Sequence, residues 1–163
     1  FLFYLAWRQN LQKCSFFAMI ICLSMDHFDL LRTGNRQSPG GNMAHILVID
    51  DDAMVARALK RMLSRDHTVV VANTMNELLS LDVGIDAILT DYNINFPDSA
   101  TSSGILKLLD ERFGVVPLIL ISANAEDKAT RNSPVGMRAK RILAKPVSSS
   151  DLLEAIAAAL AAG

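Results

Sequence analysis

The sequence predicts an α/β fold, a doubly wound (βα)5 domain built on a five-stranded parallel sheet, and three observations carry that prediction. From Met43 onward short apolar runs alternate with amphipathic helical stretches, an order that requires crossover connections and a parallel sheet covered on both faces. The apolar runs are too short for buried helices and too continuous for half-exposed strands, so they read as strands buried on both sides. Several of them end abruptly in polar residues, which in such a sheet gathers chemistry at one edge.

His45 to Ile49 (HILVI) is the first strand and runs into Asp50-Asp51-Asp52. Val55, Ala58, Leu59, Met62 and Leu63 then recur at helical spacing, with Arg57, Lys60 and Arg61 between them, and Asp52 is placed to cap that helix. Met54 and Met62 read as core. Thr68 to Val71 is β-branched and forms the second strand, and Thr74-x-x-Glu77 is a capping box for a second helix ending near Leu81. The stretch DAILTDYN, Asp86 to Asn93, delivers Asp91 to the end of the third strand. A loop from Asn93 to Ser103 precedes a helix over Gly104 to Phe113, with Ile105, Leu108 and Leu109 on one face. Pro117 leads into Leu118 to Ile121, which ends at Ser122-Ala123. Ala125 to Arg131 reads as a short polar helix terminated by Asn132-Ser133-Pro134, and Arg138 to Ala144 carries the fifth strand, ending at Lys145-Pro146. Ser148 to Asp151 cap a last, Ala-rich helix with Leu152, Leu153, Ile156 and Leu160 toward the sheet.

The 163 residues amount to about one domain, and with 51% hydrophobic and 20% charged residues a sizeable core is expected. A net charge of -1 argues against a general nucleic-acid or membrane-surface role. Residues 1–42 read as an N-terminal extension and linker outside the domain, which spans 43–163. Thr33 to Asn42 has linker composition, and Met43 stands directly before the first strand as the expected natural start. The alternative for this arm is membrane association or dimerisation. Its apolar pieces, Phe1 to Trp7 and Phe16 to Met25, are each shorter than a membrane span and lack the order of a signal peptide. Without the arm the balance is 12 basic against 15 acidic residues. Both cysteines, Cys14 and Cys22, lie in the arm, so no disulfide framework or zinc pattern is available, which fits a cytoplasmic protein. His27, His45 and His67 are scattered and are given no metal role.

The strand ends assemble three acids, Asp50, Asp51 and Asp91, a hydroxyl, Ser122, and an ammonium, Lys145. Three neighbouring carboxylates repel one another unless a cation sits among them, and oxygen-only ligands favour Mg²⁺. Lys145 and Ser122 suit a tetrahedral anion, which makes Asp91 a candidate nucleophile for phosphoryl transfer.

On these residues the chain from Met43 to the end resembles a receiver domain of the two-component response-regulator family. The family pattern is an acidic pair after the first strand, a phospho-accepting Asp after the third, Ser/Thr-Ala after the fourth and Lys-Pro after the fifth; here these are Asp50-Asp51, Asp91, Ser122-Ala123 and Lys145-Pro146. The resemblance implies a flavodoxin-like sheet and phosphoryl transfer to Asp91 from a histidine kinase or a histidine phosphotransfer protein. It implies Mg²⁺ bound by Asp51, Asp91 and the carbonyl of Asn93, with Asp50 acting directly or through water. It also implies a cis Lys145-Pro146 bond, Lys145 pairing with phosphoryl oxygens, and Ser122 moving to switch a surface for a downstream protein whose identity is open. Asn93 and Asn124 are expected to tune dephosphorylation. The implied activity is self-catalysed phosphoryl transfer and its reversal by water, with no separate substrate.

Some positions depart from the pattern. Ile142 stands where many members carry a rotamer-switching aromatic, Ile94-Asn95 replaces an apolar-Pro pair, and Arg138, Lys140 and Arg141 make the approach to the fifth strand basic. Two other readings are a haloacid-dehalogenase-like phosphohydrolase, mimicked by Asp50-x-Asp52, Ser122 and Lys145, and a non-phosphorylated pseudo-receiver that only binds. Met54, where the hydrolases expect Thr or Val, speaks against the first, and the intact five-residue set against the second. A single-domain regulator, a relay shuttle and a receiver cut from a hybrid kinase all remain open, as does oligomeric state.

Overall fold

The computed structural model describes residues 43–94 and 102–161, and the expectations for residues 1–42 and for the loop after Ile94 lie outside the described residues. Five strands form one parallel sheet, β1 (His45–Ile49), β2 (Thr68–Ala72), β3 (Ala87–Asp91), β4 (Leu118–Ser122) and β5 (Arg141–Ala144), in the order β2-β1-β3-β4-β5. Between them run α1 (Ala53–Leu63), α2 (Met75–Ser80), α3 (Ser102–Phe113), the two short helices α4 (Lys128–Arg131) and α5 (Pro134–Arg138), and finally α6 (Ser149–Ala161). The (βα)5 expectation holds, with one crossover split in two.

Alternation along each strand divides the core between the two faces of the sheet. Ile46, Val48, Leu89, Ile119 and Ile121 pack with Ala56, Leu59 and Leu63 of α1 and with Leu152, Ala155 and Ile156 of α6. Leu47, Ile49, Ile88, Leu118 and Leu120 pack on the other face with Leu78 of α2, Ile105 and Leu109 of α3, and Val135 of α5. Each such fully buried aliphatic side chain contributes about 1.5–3 kcal/mol. Among the described residues, no helix is long and apolar enough to cross a membrane.

The local signals are recovered with informative exceptions. The Asp52 carboxylate accepts from the N–H groups of Met54 and Val55, and the Thr74 hydroxyl from that of Glu77, so both predicted caps form. Met54, read as core, is instead 54% exposed. At 100° per residue it lies roughly opposite the face centred on Leu59 and Leu63, alongside Arg57 and Arg61. α3 begins at Ser102, two residues before its expected start.

The segment after β4 departs most from expectation. Pro134 does not only end a helix; it opens the next one, where its missing N–H costs nothing. Ser133 makes the joint: its hydroxyl donates to the Thr130 carbonyl (2.7 Å) and accepts from Gly136 N–H (3.0 Å). Arg138 therefore closes α5, donating to the Val116 carbonyl (2.8 Å) and pairing with Asp110 of α3 (3.4 Å), and β5 starts only at Arg141. Arg141 in turn pairs with Glu154 of α6 (3.5 Å), so two of the three basic residues here are partnered.

At Gly136 the two short helices meet backbone to backbone. A Cβ built there would lie 2.0 Å from the Thr130 carbonyl oxygen and 2.9 Å from that of Arg131. Gly136→Ala is expected to destabilise the domain by about 1–3 kcal/mol, since a rigid carbonyl cannot step aside as a side chain does. Gly84→Ala, where nothing lies within 4 Å, serves as the control. Thermal unfolding of the two variants checks this, and equal midpoints would contradict the tight joint.

Candidate functional site at the carboxyl edge of the sheet

Strand register brings the predicted residues together. Ile49 pairs with Thr90, so Asp50 and Asp91 stand side by side one step further on; Asp91 pairs with Ile121, which sets Ser122 next along β4, and Ser122 pairs with Ala144, the residue before Lys145. The Lys145 N–H donates to the Ser122 carbonyl (2.9 Å), and the Tyr92 N–H to that of Ile121 (2.9 Å), which fixes the first residues beyond the strands.

The centre of the site is an ammonium between two buried acids. Lys145 Nζ lies 3.0 Å from Asp91 Oδ1 and 3.4 Å from Asp50 Oδ2. Asp50 is 2% and Asp91 9% exposed. Burial opposes the lysine charge, but Asp50 and Asp91 together outweigh it and hold its pKa above the usual value. Burial also disfavours the Asp50 charge, and despite Lys145 and a hydrogen bond from Asp52 N–H its pKa rises from 3.8 to about 6, with Asp91 adding repulsion.

Asp51 completes an acidic cluster at the rim. One carboxylate oxygen from each of Asp50, Asp51 and Asp91 lies within 4.8 Å of the others, an all-oxygen donor set that suits a hard divalent cation. Asp52 does not join it, because its carboxylate is spent on α1, and the Asp50-x-Asp52 arrangement of the hydrolase reading is therefore not assembled.

The remaining predicted residues surround this cluster. Asn93 is exposed in the turn after β3 and donates its backbone N–H to Asp91 Oδ2 (3.1 Å). Ser122 is buried, its Oγ accepting from the backbone N–H of the exposed Asn124 (3.1 Å). Ile142 is half-buried and packs in the core cluster that holds Leu120 and Val135. The Lys145-Pro146 bond is cis. One residue was not foreseen: Asn73, just past β2, whose side-chain amide donates to the Asp50 carbonyl (2.7 Å).

The pattern of the response regulator receiver domain matches residues 46–157, more than half of the chain. The chain belongs to the response regulator receiver domain family. A response regulator receiver domain protein from Clostridium thermocellum is similar at TM-score 0.58 and 26% identity, over 74% of this chain and 96% of that one. A CheY-like receiver domain protein from Methanospirillum hungatei JF-1 shares the fold at TM-score 0.62 and 24% identity, over 74% and 96%. A response regulator from Burkholderia pseudomallei, solved with a phosphorylated aspartic acid, calcium ion and citrate, reaches TM-score 0.58 at 25% identity over 69% of this chain and 65% of that one. No curated protein matches the chain. As a receiver domain of two-component signalling, the protein carries the acidic cluster typical of the family's metal site.

In this receiver the raised Asp50 pKa makes metal-free stability depend on pH. The folded state binds the Asp50 proton more tightly than the unfolded chain, so its contribution falls as pH rises from about 4 through about 6. Asp50→Asn removes that penalty while keeping the shape, and in the presence of chelator it is expected to exceed the wild type in stability by about 1–3 kcal/mol at pH 8. At pH 4 the gain shrinks. Urea unfolding at both pH values tests this, and a variant less stable than the wild type at pH 8 would mean that the pair with Lys145 outweighs the burial of Asp50.

Proposed function

We propose that the protein is a phosphorylation-controlled switch in which Asp91 accepts a phosphoryl group from a histidine kinase or a histidine phosphotransfer protein. The observation that carries this reading is the Asp91 carboxylate itself, buried, oriented by Asn93 N–H on one oxygen and by Lys145 on the other, and flanked by Asp50 and Asp51. The phosphorylated aspartic acid of the Burkholderia pseudomallei relative supports it by likeness.

In this mechanism an Asp91 oxygen attacks phosphorus, the bond from phosphorus to the donor nitrogen breaks, and an acyl phosphate forms. Asp50, Asp51 and Asp91, with the Asn93 carbonyl, would hold Mg²⁺, which when bound supplies positive charge against the oxygens of the transferring group. Lys145 trades its contact with the Asp91 carboxylate for a phosphoryl oxygen, so its ammonium stays opposite the negative charge as that charge moves outward onto the acyl phosphate. Ser122 turns its hydroxyl proton toward another phosphoryl oxygen and loosens its bond from Asn124 N–H, which couples the site to the turn before α4. That surface, with α5, β5 and α6, meets the downstream protein. Water returns Asp91 to its free carboxylate, with Asn93 and Asn124 setting the rate of attack. Catalysis is thus confined to the domain's own aspartate, and a cytoplasmic setting fits a kinase partner.

Acetyl phosphate with Mg²⁺ is expected to yield one base- and hydroxylamine-labile phosphoryl group per chain by intact mass, absent when chelator is present and in Asp91→Asn. Labelling that persists in Asp91→Asn would overturn the assignment, and steady turnover of diverse phosphate esters would restore the hydrolase reading.

A further inference from the structure

The parallel ladder between β1 and β2 ends at the Ile49–Ala72 pair, where the acidic turn begins. The Asp50 N–H still reaches the Ala72 carbonyl, at a long 3.4 Å. In a continuing parallel ladder the Asp50 carbonyl would then receive the N–H of residue 74, but Thr74 has already turned away as the cap of α2. The side chain of Asn73 supplies the missing donor, its Nδ2 meeting the Asp50 carbonyl at 2.7 Å in a half-buried setting. Asn73 is itself held from behind, since its backbone N–H donates to Glu77 Oε2 at 2.7 Å. A chain of two short hydrogen bonds therefore runs from the first turn of α2 into the peptide that joins Asp50 to Asp51.

We propose that Asn73 is a positioning residue for the acidic cluster: by holding the Asp50 carbonyl it fixes the Asp50–Asp51 peptide, and with it the direction in which both carboxylates face the cation site. The inference rests on the reading of Asp50, Asp51 and Asp91 as that site. Asn73 contacts neither cation nor phosphoryl group; it acts through the backbone, as outer partners of metal ligands do. Without it the carbonyl loses its protein donor and the turn between strand and helix gains freedom, which Mg²⁺ must remove on binding.

The test is calorimetric titration of the full-length wild type, Asn73→Ala and Asn73→Leu with Mg²⁺ alone, at a temperature where circular dichroism reports folded protein. Leu keeps the bulk of Asn without its donor, so a fold defect particular to the smaller side chain is separated from the loss of the bond. Both variants are expected to bind Mg²⁺ roughly 10-fold more weakly than the wild type. Wild-type affinity in the folded variants, even with a lowered melting midpoint, would reduce Asn73 to a structural role and overturn the inference alone. Absence of Mg²⁺ binding in the wild type would instead overturn the reading of the site, and this inference with it.

Discussion

The site depends on one electrostatic constraint: a buried ammonium is set between two buried carboxylates, and their mutual attraction works against the cost of burying all three. Taking any of these charges out of water is costly; the close approach of Lys145 to Asp91 and Asp50 offsets part of that cost, and the remainder shows at Asp50, whose pKa stays raised to about 6. The partners come from strands far apart in the sheet. Lys145 follows the edge strand β5, Asp50 follows β1, and β4 and β3 lie between, so the ion pairs form only when these four strands are in register. The chemistry of the site and the correctness of the fold are therefore the same condition.

Three consecutive aspartates meet three different fates at the end of β1. Asp50 turns inward to Lys145, Asp51 faces the rim, and Asp52 bends back onto the first N–H groups of α1. What separates them is the direction of the chain as it passes from a strand into a helix. A carboxylate that caps a helix is already engaged, which is why only two of the three acids join Asp91.

Strand-end chemistry was legible in the sequence because in a parallel sheet all carboxyl ends face one way, so Asp50, Asp91, Ser122 and Lys145 needed only their strands to be recognised. Caps were legible for a similar reason: Thr74 and Glu77 act within one turn of each other. Met54 misled because apolar character near a helical pattern says little about phase until the buried face is fixed, here by Leu59 and Leu63. The split before β5 was half visible, since proline ends a helix and begins one with equal ease, and only Ser133 bonding in both directions decides the matter. Asn73 had no local signature. Its partner is 23 residues away, and its role arises from where the ladder between two strands stops.

The close approach at Gly136 has a consequence for how such chains diverge. A receiver whose β4 to β5 crossover is one continuous helix places no carbonyl against that position and is free to vary it. A chain that follows the path seen here, with Thr130 and Arg131 presenting their oxygens within 3 Å of where a Cβ would stand, must keep glycine for as long as it keeps the joint. In sequences of this kind a Ser-Pro-x-Gly segment before the fifth strand is thus a written record of the chain's path, readable where no coordinates exist.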